Sequence, residues 1–186
     1  ENPLADLDVE RIIMVGYSQS AAYQVTFVNS FHAAANMPGG EPIIDGYFIS
    51  AGGDNAKHVT GPDSMPESLE DGDSRNFLYP TVPTMRFQTQ TEVVNFPSYT
   101  VRQTEADEPL LRFYEMAGGS HVDAGINAVG GLALVRDLGL PPSFCPTPAV
   151  PYNPIIIGNV QSALMDRLDQ WIADDTAPPA SRLMEL

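Results

Sequence analysis

The stretch Val15-Gly16-Tyr17-Ser18-Gln19-Ser20-Ala21 overlaps the apolar run Ile12-Ile13-Met14-Val15, and its reading decides how the rest of the chain is understood. Residues 12 to 15 are continuously apolar and end at a turn signal, the pattern of a strand buried on both faces of a parallel sheet. Beyond the serine, Ala21, Val25 and Val28 recur at helical spacing, with Phe27 and Phe31 as a second pair, and a helix is expected. Strand, sharp turn, helix is the local order, with a polar residue at the turn. So tight a turn tolerates only small residues two before and two after its centre, because larger side chains collide there. Gly16 and Ser20 meet that requirement around Ser18.

Working outward, residues 43–51 read as a second short strand, and 84–89, which alternate apolar and polar residues after Pro83, as a third. A fourth is expected at 111–118. From Asn159, Val160, Leu164, Leu168, Trp171 and Ile172 fall on one helical face, and Pro178-Pro179 close the segment. Residues 52–76, rich in Gly, Pro, Asp and Ser, read as a long surface excursion, and the proline-rich 141–158 as an extended connection. Alternating strands and helices place the fold in the α/β class, with a mainly parallel sheet and flanking helices. Ligands then bind at the edge where the strands end.

The chain of 186 residues, 43% apolar, can bury one sizeable core. Its net charge of −15, from 9 basic and 24 acidic residues, repels phosphate backbones and anionic headgroups, so nucleic acid and membrane surfaces are poor partners. Cys145 stands alone and forms no internal disulfide. His32, His58 and His121 match no metal-ligand spacing, and neither metal nor cofactor is expected. Acidic composition and a single cysteine fit a secreted, periplasmic or cytoplasmic protein alike, leaving localisation open.

Serine is a weak nucleophile at neutral pH and needs a base, which in turn needs an acid to orient it and stabilise its cation. A plain alternative is that Ser18 only caps the following helix. Of the histidines, His32 lies within the first helix and His58 precedes the later strands, whereas His121 stands in Gly118-Gly119-Ser120-His121-Val122-Asp123, just after the last strand. There, glycines allow an imidazole to be aimed back at the sheet edge. For the acid, Glu92 follows the strand at 84–89, with Asp54 as the alternative; Glu105, Asp107 and Glu108 read as a solvated charge cluster. The backbone N–H of Gln19, next to Ser18, is one of the two donors an oxyanion hole requires. The other belongs to a loop after an earlier strand, and the chain offers no such strand.

These segments resemble the α/β-hydrolase superfamily, and more narrowly its bacterial "alpha/beta hydrolase domain" group, over the whole chain. The group's G-x-S-Q-S elbow is similar to Gly16–Ser20, and its "VP … Q-[ST]-E-T-D" strand end to Val82-Pro83 and Gln88–Glu92. Its "R-[LF]-[WY]-E-[VM]-A-G" segment, ending in His and Asp, resembles Arg112–Asp123, and its closing features resemble Cys145, Asn153-Pro154, Ala163–Trp171 and Pro178-Pro179. Gln90 stands where the group has Glu, and Glu92 where it has Asp. The resemblance implies Ser18 as nucleophile, His121 as base, an acid at Glu92, and a small-molecule ester as substrate. A non-catalytic binding module and an acyltransferase with the same triad are the alternatives. Members of the superfamily carry several strands before the nucleophile strand, so the chain is expected to be the C-terminal portion of a single hydrolase domain. Its first strand should then have an open edge, covered by a missing N-terminal segment or by self-association.

Overall fold

A computed structural model describes residues 7–53, 56, 57, 70, 73–139 and 153–186. Asp54, His58 and Cys145 lie outside the described residues, as do most of 52–76 and of 141–158. Four strands, β1 (Ile13–Tyr17), β2 (Gly46–Ser50), β3 (Thr84–Thr89) and β4 (Leu111–Met116), form one sheet in the order β1-β2-β3-β4. All three pairings are parallel. The helices are α1 (Gln19–Ser30), α2 (Gln90–Asn95), α3 (Ala124–Leu138) and α4 (Ile157–Asp174).

Period-two alternation sends successive side chains of each strand to opposite faces, and each face has its own core. Tyr47, Ile49 and Leu111 pack with Ala21, Val25 and Val28 of α1. Phe48, Met85 and Phe87 pack with Ile157, Leu168 and Trp171 of α4. The result is helix, sheet, helix. Leu168 and Trp171 are at most 3% exposed, and burying side chains of this kind stabilises by roughly 2–3 kcal/mol each. The expected stripe on α4 therefore faces the sheet.

β3 is buried along its whole length, polar residues included. Arg86 lies over the Phe113 ring at 5.3 Å, and its guanidinium and the Gln88 amide both donate to the Gly53 carbonyl. At the described ends of 52–76, Glu70, Ser74 and Arg75 are exposed, while Ala56 and Asn76 are buried and the Ala56 N–H donates to Asn76 Oδ1 at 2.8 Å.

The two sheet edges differ. Along β4, the tail runs parallel, with Arg182 N–H donating to the Phe113 carbonyl and Glu115 N–H to that of Arg182. The buried Glu115 carboxylate takes two hydrogen bonds from Arg102 and one from the Met184 N–H. Glu105 accepts from the Ser181 N–H, so it is tied to this tail and not merely part of a solvated cluster. Among the described residues β1 pairs with β2 alone, and Val15 is 56% exposed. The open edge expected of this strand is present, and the expected burial on both faces fails at Val15, whose side chain lies at that uncovered flank. The Asp45 carboxylate and N–H bind the N–H and carbonyl of Ile12, which fixes the register at the start of the pair.

Two helices escape the sequence reading. α3 contains no buried residue, with Val129 and Leu132 more than 70% exposed, and α2 is only 6 residues long.

Candidate active site

Ser18 joins β1 to α1 with φ 58° and ψ −125°, a left-handed region that costs a non-glycine residue about 1–3 kcal/mol. Its N–H donates to the Ser50 carbonyl at 2.9 Å, pinning the turn to the end of β2. Although Ser18 stands at the cap position of α1, its hydroxyl makes no capping bond. It lies instead 3.0 Å from His121 Nε2. The capping alternative is thereby removed.

Gly16 explains how the turn closes. A Cβ there would sit 2.6 Å from Gln24 Oε1 and 2.9 Å from the Ala21 backbone nitrogen. The side chain can yield; the helix backbone cannot without moving α1. Gly16→Ala is therefore expected to destabilise the fold by about 1–3 kcal/mol, read as a lower midpoint in urea unfolding. A midpoint equal to that of the unsubstituted protein would show that the approach of α1 to β1 is slack. Ser20, the other small residue, is exposed, and packing among the described residues does not account for it.

Glu92 lies in the first turn of α2, directly after β3, and is fully buried. The sequence Thr89-Gln90-Thr91-Glu92 forms a capping box. Glu92 Oε2 accepts from the Thr89 N–H at 2.7 Å and from the Thr89 hydroxyl at 2.6 Å. Its other oxygen, Oε1, lies 2.6 Å from His121 Nδ1. A carboxylate only accepts, so Nδ1 carries the ring proton and Nε2 is left to accept from Ser18.

His121 reaches this position from the far edge of the sheet. Ser18 follows β1 and His121 follows β4, so their strands lie three spacings, or roughly 14 Å, apart. The intervening loop crosses the end of β3, where a Cβ on Gly119 would approach that of Thr89 to 3.2 Å. The Gly118 N–H donates to Gln90 Oε1, the Gly118 carbonyl accepts from Asn153, and the His121 N–H donates to Thr91 Oγ1. Asp123 ends the loop by capping α3 through Ile126 and accepting the Ile157 N–H of α4.

The structure thus brings Ser18, His121 and Glu92 together. His32 is elsewhere, buried, with Nδ1 2.6 Å from the Tyr47 hydroxyl, and burial holds its pKa below the usual imidazole range. Gln19 opens α1, where an N–H has no intrahelical acceptor. Sequence reasoning missed Tyr17, Thr89 and Thr91. The T-x-x-E spacing of a capping box was a legible signal for Thr89; nothing local marks the other two. Among the described residues, no group of three or more His, Cys, Asp or Glu side chains could hold a metal. No helix there is long and apolar enough to cross a membrane.

A parallel sheet between helix layers, with its polar cluster where the strands end, is an α/β-hydrolase-like fold. The family model described as "Alpha/beta hydrolase domain" matches residues 1–186, and the chain belongs to that family. Neither a curated protein nor a solved structure matches it.

Proposed function

We propose that the chain is a serine hydrolase of carboxylic esters, working through an acyl-enzyme on Ser18. The observation that carries this reading is the continuous path Glu92 Oε1–His121 Nδ1 and His121 Nε2–Ser18 Oγ, at 2.6 and 3.0 Å. A binding module with a vestigial site would not need its histidine held between a hydroxyl and a buried carboxylate.

In the proposed reaction, Ser18 Oγ bonds to the ester carbonyl carbon while its proton passes to His121 Nε2. The carbonyl electrons move onto oxygen, which the Gln19 N–H stabilises. Collapse breaks the bond to the alcohol oxygen, and that alcohol leaves with the proton from Nε2. Water repeats the sequence on the acyl-enzyme, releasing the acid and restoring Ser18. The Glu92 carboxylate fixes the ring tautomer and offsets the imidazolium charge. No cofactor enters. A fluorophosphonate is expected to label Ser18, and an aryl ester to release its alcohol in a burst. Folded protein that leaves Ser18 unlabelled overturns the reading.

We also infer that residues 1–186 are the C-terminal portion of a single hydrolase domain whose sheet continues past β1. Ile12 and Ser18 use their backbone groups toward β2, so period-two alternation turns the N–H groups of Ile13, Val15 and Tyr17 outward. Beside them lies an apolar groove of about 400 Å³ lined by Met14, Val15, Tyr23, Phe27 and Phe31. Gln24 borders it, 4% exposed, with both amide atoms lacking a hydrogen-bond partner. A further strand, from upstream sequence or a second copy, would cover this flank and approach the second oxyanion position. Slow amide exchange at Ile13, Val15 and Tyr17 is expected in the functional protein. Exchange as fast as in exposed loops overturns the idea.

A further inference from the structure

We propose that Tyr17 is a positioning residue, a latch that joins the turn bearing Ser18 to the loop bearing His121 and so sets where the imidazole lies. The inference rests on the hydrolase reading above and extends it to a residue outside the triad.

The mechanical problem is one of reach. The loop after β4 must carry His121 across the ends of β3 and β2 to the edge strand, and it contains Gly118 and Gly119, which resist bending least. A loop of that kind needs an anchor at its far end, or the imidazole samples positions in which Nε2 misses Ser18. A misplacement of about 1 Å costs on the order of 100-fold in rate.

Tyr17 supplies that anchor from the residue directly before Ser18. Its hydroxyl donates to the His121 carbonyl. On the other side of the same residue, the His121 N–H donates to Thr91. Both backbone polar groups of His121 are therefore held, one from β1 and one from α2. The rings add a second restraint: the Tyr17 centroid lies 5.3 Å from that of His121, and Phe96 approaches to 6.1 Å. Tyr17 is itself fixed, packing partly buried in the core layer that includes Phe48 and Ile157, with Ile126 and Val160 alongside. Burial, with Glu92 and Asp123 nearby, pushes the phenol pKa up, so the hydroxyl remains a donor throughout the range in which the site works.

The hydrogen bond does something the ring contacts alone do not. A tilted stack tolerates sliding, whereas a hydroxyl on a carbonyl fixes direction. Tyr17→Phe keeps the ring and its packing but deletes that bond, so it separates latch from filler.

The test compares the unsubstituted protein with Tyr17→Phe in three measurements: kcat and KM on an aryl ester, thermal midpoint, and the proton NMR resonance of the His121 Nδ1–H. The expected result is a kcat lower by about tenfold or more with KM within about twofold, an unchanged midpoint, and a broadened or lost Nδ1–H resonance. Unchanged kcat with an unchanged resonance overturns the latch. A lower midpoint with a sharp, unshifted resonance also overturns it, because Tyr17 would then serve only packing. If the unsubstituted protein hydrolyses nothing and takes no fluorophosphonate, yet Tyr17→Phe still broadens the resonance, the hydrolase reading fails and the latch stands.

Discussion

Ser18→Ala is expected to lower ester turnover by roughly 10³- to 10⁶-fold and to abolish fluorophosphonate labelling, with the fold intact. The size follows from the site's design. Without Oγ no acyl-enzyme forms, and what remains is the help that binding and backbone donors give to water. The substitution should not unfold the protein. Ser18 Oγ caps nothing in α1, and the N–H that ties the turn to Ser50 survives. Alanine also inherits the left-handed backbone at no greater cost than serine. A kcat within tenfold of the unsubstituted value, measured on the same aryl ester, would remove Ser18 from the reaction.

The next largest effect is expected from Glu92→Gln, at about 10³- to 10⁴-fold in kcat with KM little changed. Glutamine has the same shape, and its carbonyl can keep the two bonds from Thr89. Its NH2 must then face His121 Nδ1. That atom becomes the acceptor, the ring proton moves to Nε2, and the imidazole presents a donor to Ser18 where an acceptor is needed. The negative charge that offsets the imidazolium is lost as well. Because the capping geometry is retained, the thermal midpoint should fall by little. Glu92→Ala removes both functions, so it should lose the activity and also about 1 kcal/mol of stability. If Glu92→Gln retained full activity, the acid would have to be sought elsewhere, with Asp54 as the first alternative.

What could be read from the chain depended on whether a residue's neighbours are implied by local pattern. β2 and β3 could be located because short apolar or alternating runs bounded by turn residues have few other folded outcomes. α4 could be located because Leu168 and Trp171 sit on a stripe against a polar face. α3 could not, since Val129 and Leu132 are exposed and none of its residues is buried, Ile126 only partly covering the core, so the apolar helix has no stripe to find. The run 12–15 was legible as a strand, and the resemblance gave it an open edge, but its apolar composition suggested burial on both faces, which Val15 does not have. Ser18, Glu92 and His121 could be chosen from chain order, strand ends and resemblance. Tyr17 could not: its partner is 104 residues away, and only the folded sheet makes them neighbours.

The capping box at the start of α2 ties local structure to the candidate site. A helix of 6 residues is far too short to persist by its own hydrogen bonds. Its first turn is held by the Glu92 carboxylate folded back onto Thr89, which leaves the remaining oxygen on His121. One side chain thus both caps the turn and, on the proposed reading, orients the base. On the proposed hydrolase reading, a chain in which α2 has not closed is expected to lack an oriented His121 and to be inactive toward esters.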